Sequence, residues 1–115
     1  MEKQLENVPI DRYWIFGEID VERKNQTAKW GEQDWPMLRD DVELAYYKYQ
    51  LEMQRKRAKE LEETENWTWM DILCEEVLEA ATETDPARQR EELIQVLAVG
   101  VQIVEAIDRK ANEGH

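Results

Sequence analysis

Apolar residues in the second half of the chain recur at three- and four-residue intervals, the spacing of one face of an α-helix. Trp69, Ile72, Leu73 and Ala80 share an arc of a helix expected from about Trp69 to Glu83. Thr68 is its N-cap, and Asp71 three residues on completes a capping-box-like pair, with Asp in place of the usual Glu or Gln. A fourth helix is expected from Pro86 to about Lys110, with Asp85 as N-cap and Pro86 at the first helical position. Upstream, the pattern predicts a first helix from near Asp11 to about Lys29 and a turn-like break at "WGEQDWPM". It then predicts a long second helix from about Leu38 to Glu63. The apolar stripe of that second helix is Leu38, Val42, Ala45, Tyr49 and Met53. A short connection makes the third and fourth helices antiparallel neighbours. The expected architecture is an all-α, four-helix bundle in a single domain spanning residues 1–115.

Composition narrows the function. The net charge of -12 repels nucleic-acid polymers and anionic membranes. It leaves room for a nucleotide carried with a divalent cation, which supplies the missing positive charge. No apolar run is long enough for a membrane span, and the N-terminus lacks the apolar core of a signal peptide. The lone Cys74 forms no intrachain disulfide, so a cytoplasmic location is expected. Five tryptophans in 115 residues read as core packing or as base-stacking surfaces. The basic run "RKRAK", residues 55 to 59, reads as a solvated helix end or as a phosphate contact. His115, the single histidine, is terminal and expected to be disordered.

Some carboxylates fall where a helix should be apolar. On a wheel at about 100° per residue, Asp71, Glu75 and Thr82 share a polar arc of the third helix, whereas Glu76 and Glu79 lie among its apolar residues. On the fourth helix Glu91 and Glu105 are polar-side residues, Glu92 lands between Val99 and Ile103, and Gln95 sits at the edge of that arc. Glu76 with Glu79, and Glu92 with Gln95, are each one turn apart. Three like charges in a place of low dielectric repel and must be neutralised by basic side chains or a divalent cation. An all-oxygen ligand set suits Mg²⁺, with Mn²⁺ as the substitute, and not zinc.

The motifs "EEVLEA" and "EELIQV", with 12 residues between Glu79 and Glu92, resemble the ExxE and ExxD signature of the MazG-like all-α nucleoside triphosphate pyrophosphohydrolases. Together with "KWGEQDWP" and "WTWMDILCEEVLEA", they look like the small phage and actinobacterial members of that superfamily. The resemblance is strongest from Trp67 to Arg109 and weakest over Leu44–Glu65. It implies cleavage of a nucleotide between its α and β phosphates, giving a monophosphate and pyrophosphate. Glu76, Glu79 and Glu92 would hold the metal, with Gln95, which replaces the family aspartate, as a fourth and uncharged ligand. Glu75 would accept the proton of the attacking water. Lys29 and Arg39 would reach phosphates, and Trp30 and Trp35 would stack a base. Homodimers or homotetramers are implied too, and the fourth helix, apolar around most of its circumference from Leu93 to Ile107, argues the same way. Two other functions are open: a nucleotide-binding sponge that sequesters a signal without cleaving it, and a structural helical adaptor.

Overall fold

A computed structural model describes residues 2–113, with side chains from residue 12 onward. His115 lies outside the described residues. Four helices follow one another: α1 (Glu2–Trp30), α2 (Asp41–Glu62), α3 (Trp69–Thr82) and α4 (Pro86–Glu113). Among the described residues there is no strand, and no helix is long and apolar enough to cross a membrane. The expected all-α class is therefore observed. The chain divides into two compact units, one of Pro36–Gly100 and one of Met1–Trp35 with Val101–His115.

In the first of these units, the caps of α3 and α4 are those expected from the sequence, and Asp40 adds one for α2. Asp40 accepts the Glu43 N–H at 2.9 Å and starts α2 three residues later than the apolar pattern alone suggests. Thr68 and Asp71 exchange both bonds of a capping box at the start of α3. Asp85 accepts the Arg88 N–H at 3.0 Å ahead of α4. Each cap satisfies a backbone donor that the first helical turn would otherwise leave unpaired.

Packing departs from expectation in two places. The stripe Leu38, Val42, Ala45, Tyr49, Met53 is not the buried face of α2. Val42 is 79 % exposed, and Ala45, Tyr49 and Met53 are exposed too. The half-buried line is Leu44, Tyr47, Leu51, Gln54, Ala58 and Leu61. It lies on the opposite side of the helix, since residues 42 and 51 differ by about two and a half turns. α2 is apolar on both sides, so spacing alone does not say which side packs. Leu51 is buried, and burial of such a side chain is worth about 2 kcal/mol.

The second departure is on α3. Asp71, Glu75 and Thr82, expected on the solvent side, are buried or half-buried. Arg57 of α2 reaches Asp71 Oδ1 at 3.3 Å, and the Gln54 amide donates to the Asp71 carbonyl at 3.2 Å, so the polar end of α3 turns toward α2. Thr82 spends its hydroxyl on the Leu78 carbonyl at 2.7 Å. The exposed residues of α3 are instead Trp69, Met70 and Val77. The other residues of α3 are half-buried, apart from Asp71 and Ala80, which are buried.

In the other unit, α1 begins at Glu2, so Asp11 lies within the helix and does not cap it. Tyr13, Trp14, Phe16, Ile19 and Val21 scatter around its circumference and are exposed, while Ile15 is buried. Glu105, expected on a polar face, is nearly covered and pairs with Arg12 at 3.4 Å.

Candidate metal centre

Glu76 and Glu79 project from consecutive turns of α3, and Glu92 comes from the second turn of α4. One oxygen from each lies within 4.8 Å of the others, and all three residues are half-buried. What brings the two helices into register is a single amide. Gln89 Nε2 donates to the carbonyls of Ala80 and Glu83, both at 3.1 Å, so the end of α3 is tied to the first turns of α4. Ala80, with 1 % exposure, is the most buried residue at this crossing.

Two carboxylate oxygens here, Glu76 Oε2 and Glu92 Oε2, are buried and meet no hydrogen-bond donor among the described residues. Burial pushes the Glu76 carboxyl above its ordinary value of 4.5, and the charges of Glu79, Glu92 and Glu75 push the same way. Glu92 is raised for the same first reason, burial, and next by Glu79. Among the described residues Glu79 has one cationic partner: Arg55 of α2 reaches its Oε1 from 3.5 Å.

This donor set fits a hard cation. Neighbouring oxygens around a six-coordinate Mg²⁺ lie about 3 Å apart and opposite ones about 4 Å, so the three carboxylates would close by up to about 2 Å to share one. The oxygens without donors are the groups that a cation would satisfy. Among the described residues no imidazole or sulfur joins the cluster, and Cys74 lines the groove between α2 and α3 with Tyr46, Tyr47 and Met53.

The other residues expected at a site are distributed as follows. Gln95, one turn beyond Glu92, is exposed. Glu75 is half-buried, and its charge is felt at Glu76. Arg39 spends its guanidinium on Glu43 at 3.4 Å, within the first turn of α2. In the unit that contains α1, Lys29 Nζ lies 4.9 Å from the Trp30 ring centre, while Trp30 and Trp35 are exposed. Sequence reasoning did not single out Arg55 individually or Gln89 at all. The signal for Arg55 was present in the basic run, and the signal for Gln89 was its place three residues before Glu92. No family model matches the chain, nor does any curated protein or solved structure.

Proposed function

We propose that the protein is a divalent-cation-dependent nucleotide pyrophosphohydrolase, cleaving between the α and β phosphates. The observation that carries this reading is the pair of buried carboxylate oxygens without donors, Glu76 Oε2 and Glu92 Oε2, beside Glu79 on adjacent helices. A structural role for these glutamates would leave that burial uncompensated, at a cost of about 1–3 kcal/mol or more for each such group. Glu76, Glu79 and Glu92 would hold Mg²⁺ or Mn²⁺. The cation, when bound, polarises phosphate oxygens and lowers the pKa of water. Glu75, beside the cluster and outside the ligand triad, would take the proton from the attacking water.

Gln95 favours a second reading. An exposed amide in place of an aspartate supplies no fourth charge, which suits a sponge that binds a nucleotide and does not cleave it. Turnover and binding measured on one nucleotide panel with Mg²⁺ separate the two. Pyrophosphate release is expected from the enzyme, whereas tight binding without release would establish the sponge. A panel with neither turnover nor binding would leave only the structural adaptor.

A homo-oligomer accompanies this reading. Leu93, Ile94 and Leu97 on α4, with Val42, Tyr46 and Tyr49 on α2, leave apolar side chains exposed that a second copy would cover. Light scattering on the same preparation is expected to give a mass of two or four chains, and a mass of one chain would refute it.

A further inference from the structure

Although the chain is strongly acidic, α2 concentrates positive charge along one flank. Lys48, Arg55 and Lys59 recur at intervals of seven and four residues, which returns each to the same side of the helix. With Lys56 and Leu51 they line a shallow pocket of about 430 Å³ that reaches Thr82 of α3. Four cations and one carboxylate, Glu52, border it. Thr82 stands three residues after Glu79, and Arg55 bridges the two features through its 3.5 Å pair with Glu79. This flank is therefore continuous with the carboxylate cluster.

We propose that Arg55 is a displaceable counter-ion of Glu79, and that the Lys48, Arg55 and Lys59 flank receives the oligophosphate chain of the ligand. The inference rests on the metal-nucleotide reading above. Glu79 faces two demands, because it belongs to the oxygen triad and also faces the guanidinium. A divalent cation at the triad repels Arg55 and takes over its neutralising role. The Arg55 side chain is 56 % exposed, so it is free to turn along the flank. What it meets there must carry several negative charges and remain linked to the cation. Lys48 and Lys59 are about 16 Å apart along the helix axis, a span that a chain of phosphates covers better than a single phosphate does. The flank would thus select diphosphates and triphosphates over monophosphates, so the monophosphate product is held less firmly than the substrate.

Calorimetry tests this with MgCl₂ alone, then with inorganic tripolyphosphate and with orthophosphate, each at saturating Mg²⁺ and again in chelator. Arg55→Gln is expected to bind Mg²⁺ alone roughly fivefold more tightly, because a competing charge is gone. The same variant should bind tripolyphosphate roughly tenfold more weakly, the loss of one charge-assisted contact. Lys59→Gln, an exposed change away from the triad, should weaken tripolyphosphate and leave Mg²⁺ alone unchanged. Orthophosphate should bind far more weakly than tripolyphosphate throughout. Unchanged tripolyphosphate affinity in either variant, or orthophosphate binding as tight as tripolyphosphate, overturns the proposal. A parent protein that binds Mg²⁺ but not tripolyphosphate overturns it too and leaves the metal centre intact. Arg55-dependent tripolyphosphate binding that is undiminished in chelator supports the flank and refutes the metal reading. A parent that binds neither refutes both.

Discussion

Asp71 and Glu76 stand five residues apart on the same helix, and both lose water on folding, yet they end in opposite electrostatic conditions. Every neighbour of Asp71 favours its charge. The Thr68 hydroxyl, first in effect, holds its carboxyl below the ordinary 3.8 against the pull of burial. The Thr68 backbone N–H, Arg57 and Gln54 add to that. Glu76 meets burial and three other carboxylates, and one of its oxygens has no donor. The same residue chemistry thus serves two ends. A carboxylate surrounded by donors fixes a helix terminus, and one left among like charges keeps an unmet demand that a cation would satisfy. Local sequence separates them: Asp71 has its partner three residues before it, while Glu76 has its like-charged neighbours one residue and one turn away.

The largest effect that would break this contrast is on ligand-linked stability. At a ligand concentration of 100 times Kd, Mg²⁺ with nucleotide should stabilise the parent by about 2.7 kcal/mol. Glu79→Gln should abolish that gain. Thermal melts in chelator and in Mg²⁺ with nucleotide read it directly, and a Glu79→Gln protein that keeps the gain would remove Glu79 from the centre.

Next in size are two substitutions of opposite sign. Thr68→Ala removes the cap that Asp71 leans on and should cost about 1 kcal/mol in a denaturant titration. Glu76→Gln removes a like charge from the cluster and should stabilise the protein in chelator by about 1 kcal/mol, the size of one solvated charge contact. A Glu76→Gln protein less stable than the parent would place Glu76 with Asp71, as a structural carboxylate.

The smallest effect lies in pH. Glu76 and Glu92 have raised pKa values, so the stability they contribute is complete below the ordinary 4.5 and is lost as pH rises through the raised values. Asp71 has the reverse sign, with a contribution complete above 3.8 and lost as pH falls through its lowered pKa. Melting temperature in chelator should therefore climb as pH is brought from about 7 towards about 5, and then drop in strong acid. The overall negative charge adds a slope of the same sign between those values, so the difference between the parent and Glu76→Gln is the measurement. Parallel curves would show that Glu76 does not titrate abnormally.

Much of this arrangement was legible in the sequence, and the reason is locality. The caps at Thr68 and Asp85 involve residues three apart, and the break at Gly31 matches a backbone φ of 71° that glycine tolerates. Glu76, Glu79 and Glu92 could be brought together on paper because two short motifs flank a short turn. What stayed hidden depends on which helix packs where. α2 offers apolar lines on both sides, and the side that packs is that of Leu44, Leu51 and Leu61, not that of Val42 and Tyr49. Arg55 lies more than twenty residues from Glu79, and nothing local marks it off from its basic neighbours. The Arg55 pair offsets the charge of Glu79 and leaves Glu76 and Glu92 as the uncompensated carboxylates.

The amide of Gln89 has a consequence for how binding energy is spent. Because it joins the last carbonyls of α3 to α4 one turn ahead of Glu92, the conformational entropy of aligning the two helices is lost during folding, not on ligand arrival. The glutamates are preorganised, at a high effective concentration toward one another, despite their repulsion. A cation binding there, as proposed, would have mainly electrostatic strain to relieve and little disorder to remove, so association should be fast and involve only small rearrangements of the backbone.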